Sequence, residues 1–185
     1  FYSGSTVLMT ANSYNAKITE NVVSLSGQII TSQRFNAFGD EAGWFSYNYD
    51  IRGATTGIVD DVGALKTDYE YDEFGNLTNT PSSFLNETTY TGSISDSNTG
   101  LYYMNARYYN SNTGRFISQD SYKGSAYQPW TQNLYSYVGN NPINMIDPTG
   151  HKPIYACYCE NCYEGGINTS SIIGDSDGIT PSNKK

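Results

Sequence analysis

The side chains best suited to chemistry lie in the second half of the chain. His151 is the single histidine, and Cys157, Cys159 and Cys162 follow it closely. A Cys-x-Cys-x-x-Cys run with a nearby histidine offers up to four zinc ligands, although its spacing is not one of the strong two-knuckle patterns. In an exported protein the same cysteines would instead close a small-loop disulfide, Cys159–Cys162 or Cys157–Cys162, or stay as free thiols. These four residues are the metal-ligating candidates; no metal site is assigned to them and no cofactor is expected. Upstream, Arg107 stands between the tyrosine pairs Tyr102-Tyr103 and Tyr108-Tyr109, where a guanidinium stacks on a ring or forks onto a carboxylate. Asp120 and Asp147 are 27 residues apart (147 − 120). Read as residues alone, they cap turns and pair with Arg107 or Arg115.

The elements that must position these groups read as strands and turns. Tyrosines in adjacent pairs point to opposite faces of a strand, so each pair sends one ring inward and one outward. Asn110 to Gly114 reads as a hairpin loop, and Gly139-Asn140-Asn141-Pro142 and Asp147-Pro148-Thr149-Gly150 are turn signatures. The run from Asn133 to Val138 is strand-like, so the chain can go out after Asp120 and return at Asp147. Between Phe1 and Arg34, short apolar or β-branched runs at Thr6–Thr10, Asn21–Leu25 and Gln28–Ser32 alternate with turn residues. None keeps a 3.6-residue period, which predicts an antiparallel sheet.

An internal repeat organises the middle. Tyr47, Tyr49, Asp50, Gly53 and Thr56 recur as Tyr69, Tyr71, Asp72, Gly75 and Thr78 at an offset of 22 residues. Each unit reads as a strand, an Asp-initiated turn closed by Gly, and a return strand. Such units bury their apolar faces only against neighbours. The segment from Tyr47 to Thr80 is therefore expected to form successive hairpins in one continuous sheet. Phe1 to Arg34 is expected to pair with upstream repeats or another chain, because open sheet edges recruit strands.

Composition narrows the partners. Eighteen tyrosines in a chain with 37% hydrophobic residues predict an interior of amphipathic rings whose hydroxyls need acceptors. A net charge of −8 disfavours nucleic acid and anionic membrane. No stretch approaches the ~20 apolar residues of a membrane span. The start at Phe1, without Met or a signal, reads as a cut through a longer polypeptide.

In their order, Gly100-Leu101-Tyr102-Tyr103, Ala106-Arg107-Tyr108-Tyr109, the run Gly114 to Asp120, Asn133-Leu134-Tyr135-Ser136-Tyr137, Gly139 to Pro142 and Asp147 to Gly150 resemble the repeat-associated core of the Rhs/YD-repeat family. That family includes wall-associated bacterial proteins, the C component of insecticidal toxin complexes and teneurins. The resemblance covers roughly Tyr47 to Gly150. It implies an all-β fold, in which an antiparallel β-hairpin spiral forms part of a hollow shell closed by the core. It implies a division into a YD-repeat segment (1–89), the core (90–150) and a C-terminal tail (151–185). By resemblance, Asp120 and Asp147 are the carboxylates of an aspartic-protease-like activity that cuts the chain beyond Asp147-Pro148-Thr149-Gly150, with Arg107 as their basic partner. Two close carboxylates divide the work of hydrolysis: one stays ionised to activate water, the other protonated to polarise the carbonyl.

Beyond Gly150 the sequence departs from the family pattern. No Leu or Met follows Met145, and 35 residues remain, too few for an ordinary enzyme domain. The resemblance implies a secreted or cell-surface shell segment that encapsulates or anchors a C-terminal peptide, in company with upstream repeats or other protein chains. The alternative is an extracellular adhesin or fibre subunit that binds carbohydrate or protein without catalysis.

Overall fold

The computed structural model describes residues 2–3, 6–25, 27–36, 40–84, 86–127 and 129–156. Cys157, Cys159, Cys162 and the rest of the tail lie outside them. The strands are β1 (Tyr2–Ser3), β2 (Thr6–Val7), β3 (Met9–Ala11), β4 (Lys17–Val23), β5 (Ile29–Phe35), β6 (Glu41–Tyr49), β7 (Thr55–Asp60) and β8 (Leu65–Asp68). They continue with β9 (Ile94–Asp96), β10 (Leu101–Met104), β11 (Arg107–Asn110), β12 (Arg115–Phe116), β13 (Met145–Ile146) and β14 (Ile154–Tyr155). The only helical turns among the described residues are short 3₁₀ pieces, so the all-β expectation holds.

Strands β3 to β8 form a six-stranded antiparallel meander in which each strand pairs with its sequence neighbours. One turn design is used throughout. At Asn12, Ser24, Asn36, Asp50, Asp60 and Asp72 the backbone N–H donates to the carbonyl four residues on. The side-chain oxygen of the same residue accepts from the amide of that fourth residue. The residue before it takes a positive φ where described: Asn15 at 66°, Gly27 at 86°, Gly53 at 77°, Gly63 at 82° and Gly75 at 91°. A short polar side chain thus supplies the acceptor and a glycine or asparagine the left-handed residue. The 22-residue repeat is two of these turns, from Asp50 through Asp60 to Asp72. Successive turns of a meander lie at opposite ends, so Ser24, Asp50 and Asp72 share one end, and that end meets the core.

The second repeat unit is smaller than expected. Strand β8 ends at Asp68, and beyond it only the single bridge Tyr71↔Leu77 forms, although Tyr69 still donates its N–H to Thr56. The ladder groups there are taken by a side chain: Asn79 accepts from the Glu70 N–H and donates to the Asp68 carbonyl. The turn itself is anchored in the core, where Tyr90, Tyr109 and Tyr102 donate their hydroxyls at 2.7, 2.8 and 2.8 Å to the carbonyls of Glu73, Phe74 and Gly75. Burial pushes the Tyr90 and Tyr102 phenols up to about 12, which keeps both as donors.

Strands β9 to β12 form a second sheet, in order β12-β11-β10-β9. Tyr102 and Tyr109 face inward against Tyr90, Phe116 and Tyr137, while Tyr103 and Tyr108 face outward, as their pairing predicts. The meander docks on this core through Thr55, which donates from its N–H to Thr89 and from Oγ1 to Thr88. The expected strand at Asn133–Val138 is a turn with one bridge, Arg115↔Ser136. Asn133 accepts locally at its side chain and carbonyl, and Val138, Gly139 and Asn140 all have positive φ, which no strand tolerates.

Candidate functional site

Arg107 opens β11 directly after the two-residue turn Asn105-Ala106. The inward face of the strand carries its side chain into the core, where the residue is 5% exposed. The guanidinium carbon lies over the Phe116 ring, 3.6 Å from its centroid. Its Nη1 donates to the Leu134 carbonyl at 3.1 Å and its Nε to the Gly150 carbonyl. Its Nη2 reaches Asp120 Oδ2 at 2.8 Å and Asp147 Oδ2 at 3.4 Å. One cation therefore holds two carboxylates and two carbonyls from three separate segments. Arg115, the other candidate partner, is exposed on β12.

Asp120 arrives by a short connection from β12. Its N–H donates to Leu134 and its Oδ1 accepts from the Tyr122 N–H. Asp147 follows β13, which pairs with β14, so Asp147-Pro148-Thr149-Gly150 forms the start of the connecting loop. Asp147 Oδ1 accepts from Thr149 Oγ1 and from the His151 N–H. Gly150 has φ +73°, and a Cβ there would stand 2.1 Å from the Met104 carbonyl oxygen. Only glycine allows the loop to press against the Asn105 turn, where the Asn105 amide also donates to Pro148 at 2.6 Å.

The two carboxylates are buried, Asp120 at 7% and Asp147 at 4% exposure. Burial pushes the Asp147 carboxyl above its ordinary value; Arg107 and the hydrogen bonds from His151, Gly150 and Thr149 pull it back without cancelling that. Burial likewise lowers Arg107, but arginine stays charged. A cleft of about 50 Å³ lined by Arg107, Asp120, Asp147, His151, Tyr122 and Trp130 leaves room for a few water molecules.

All three sequence-predicted residues, Arg107, Asp120 and Asp147, thus meet. His151 joins them: its Nδ1 lies 2.9 Å from Asp120 Oδ1. Its partners as metal candidates, Cys157, Cys159 and Cys162, lie outside the described residues, among which no group of three or more His, Cys, Asp or Glu suited to a metal occurs. Its place beside Asp147 was legible, because a side chain that opens a turn reaches the amide four residues on. Its contact with Asp120, 31 residues away, left no sequence signal, and neither did the Leu134 carbonyl or the Phe116 ring.

A family model described as Teneurin YD-shell matches residues 49–143. The chain belongs to the Rhs/YD-repeat family. Among its relatives, the tRNA nuclease WapA of Bacillus subtilis (strain 168) is 40% identical over 110 residues, 58% of this chain and 5% of that protein. The tRNA3(Ser)-specific nuclease WapA of Bacillus spizizenii is 34% identical over 156 residues, 82% of this chain and 6% of that protein. The double-stranded DNA deaminase toxin A of Burkholderia cenocepacia is 30% identical over 119 residues, 60% of this chain and 8% of that protein. The crystal structure of TcdB2-TccC3 superposes with a TM-score of 0.60 at 25% identity, over 77% of this chain and 7% of that one. The chain thus spans less than a tenth of these proteins. Its fold is that of an Rhs/YD shell, and its relatives include toxins. No helix among the described residues is long and apolar enough to cross a membrane.

Proposed function

We propose that this chain is the closing segment of a secreted Rhs/YD β-shell that encloses or anchors a C-terminal peptide, and that Arg107, Asp120 and Asp147 carry out one self-cleavage beyond Asp147-Pro148-Thr149-Gly150. In this reading residues 1–89 belong to the wall of the shell, 90–150 to its closing core and 151–185 to the peptide it retains, with upstream repeats or other protein chains as partners. The observation that carries the proposal is the convergence of two buried carboxylates on one guanidinium nitrogen, at 2.8 and 3.4 Å, beside the chain that leaves Gly150.

The roles follow from the two environments. Asp120, in the shorter contact with Arg107, is the base: it takes a proton from water as the water oxygen attacks the scissile carbonyl. Asp147, pushed up by burial, is the acid that protonates the carbonyl oxygen. Collapse of the tetrahedral intermediate breaks the C–N bond as the proton held by Asp120 passes to the leaving amine and Asp147 takes back a hydroxyl proton to leave the new carboxylic acid. Both carboxylates also hold turns, so a structural role and a chemical one coexist in the same side chains.

The test is to express the full natural polypeptide with Asp120→Asn and with Asp147→Asn and to read intact masses. Wild type is expected to yield two fragments and each variant one uncut chain with an unchanged shell. An uncut wild type, or cut variants, would reduce the pair to a structural role. A second reading, a carbohydrate-binding adhesin, draws on Tyr103 and Tyr108. These half-exposed rings lie 5.2 Å apart on the outer face of the core sheet. Binding of glycans to wild type that is lost in Tyr103→Ala would favour it.

A further inference from the structure

His151 stands apart from the rest of the site in its access to solvent. Its side chain is 41% exposed, against 9% for that of Asp120 and 4% for that of Arg107. It nevertheless touches both carboxylates: Nδ1 meets Asp120 Oδ1 at 2.9 Å, and its backbone N–H donates to Asp147 Oδ1 at 3.0 Å. Asp120 is therefore held on both oxygens, by Arg107 on Oδ2 and by His151 on Oδ1. The first partner is a permanent cation; the second is the one side chain that ordinarily changes charge between about pH 5 and 8.

Resting on the self-cleavage reading above, we propose that His151 is a positioning residue that gates the site by pH, holding Asp120 unavailable when the imidazole is protonated and freeing it when the imidazole is neutral. Protonated, His151 completes an Arg⁺–Asp⁻–His⁺ arrangement in which the carboxylate faces two cations and is a poor proton acceptor. Neutral, with the proton on Nδ1, it still orients Asp120 through one hydrogen bond but no longer opposes the gain of a proton from water. The charged and titratable groups around the imidazole are Asp120, Arg107 and Asp147 in the cleft, with Tyr122 and its neighbour Lys152, whose ammonium lies 5.8 Å from the Tyr122 ring centroid.

The experiment refolds uncut full natural polypeptide at pH 5.0 and at pH 7.5 and follows cutting by mass spectrometry, for wild type and for His151→Gln. Glutamine keeps a hydrogen-bonding side chain without the switch, and near-ultraviolet circular dichroism verifies its packing. Wild type is expected to cut at least about tenfold more slowly at pH 5.0 than at pH 7.5, and His151→Gln to differ by less than about threefold. Equal pH dependence in the two proteins overturns the gate. So does a folded His151→Gln that never cuts, since His151 would then be a catalytic base. If wild type cuts at no pH, the self-cleavage reading fails separately, and the carboxyl-carbon resonance of Asp120 in the full natural polypeptide, ¹³C-labelled at aspartate, decides the gate. A step between pH 5.0 and 7.5 that disappears in His151→Gln supports it, and a resonance that is flat in wild type overturns it.

Discussion

The meander and the core solve the same problem, fixing polar groups in a half-buried β structure, by different means. In the meander each turn is self-sufficient: the Asp60 side chain closes its own loop through the Val62 and Ala64 amides, and Gly63 faces open space. In the core the partners come from far along the chain: Arg107 collects groups from residues 120, 134, 147 and 150. Local hydrogen bonds survive the loss of a neighbour, whereas a shared buried cation does not. The core should therefore be the brittle part of the molecule and the meander the tolerant one.

The largest test replaces an arginine in each region. Arg107→Met takes the shared cation from two buried carboxylates and one donor from each of two carbonyls, and about 3–5 kcal/mol of stability should be lost in urea unfolding. Arg34→Met removes one bond to the Tyr47 hydroxyl and a contact with the Phe84 ring, which should cost about 1–2 kcal/mol. Equal losses would erase the distinction between the regions.

The same turn can be probed in both settings. Gly63→Ala meets no atom within 4 Å and should cost only the left-handed backbone penalty of about 1–2 kcal/mol. Gly75→Ala places its Cβ 2.6 Å from the Tyr90 ring and should cost about 1–3 kcal/mol more through overpacking, as a difference in thermal unfolding.

A smaller effect separates the two faces of the core sheet. Tyr109→Phe strips the Phe74 carbonyl of its donor and should lose about 1 kcal/mol. Tyr108→Phe, on the exposed face, should stay within about 0.5 kcal/mol of wild type. The smallest effect is one of pH. Burial would raise Asp72, but hydrogen bonds from the Asn76 side chain and the amides of Asn76, Phe74 and Gly75 outweigh it and hold the carboxyl below its ordinary value. A depressed folded value gives stability that is present above the ordinary carboxylate range and is lost as pH falls through the folded value. Asp72→Asn should therefore flatten the acid side of the unfolding midpoint plotted against pH.

The sequence by itself determined the β class, the turns that begin at Asp50 and Asp72, and the inward and outward tyrosines of β10 and β11. Each of these depends on neighbours within a few residues, where alternation and turn chemistry act directly. Even there it showed only part of the pattern, since Asn12, Ser24 and Asn36 build the same turn without the Tyr-Asp signature that marked the others. The strand expected at Asn133–Val138 failed because Asn133 closes a local turn through its side chain and carbonyl and Val138 takes a positive φ. Tertiary structure alone decided that three tyrosine hydroxyls anchor the turn of the second repeat unit, and that His151 comes to rest on Asp120. Such contacts join groups tens of residues apart, and their energy comes from desolvating charges and filling acceptors inside a closed core. Neither effect leaves a periodic mark along the chain.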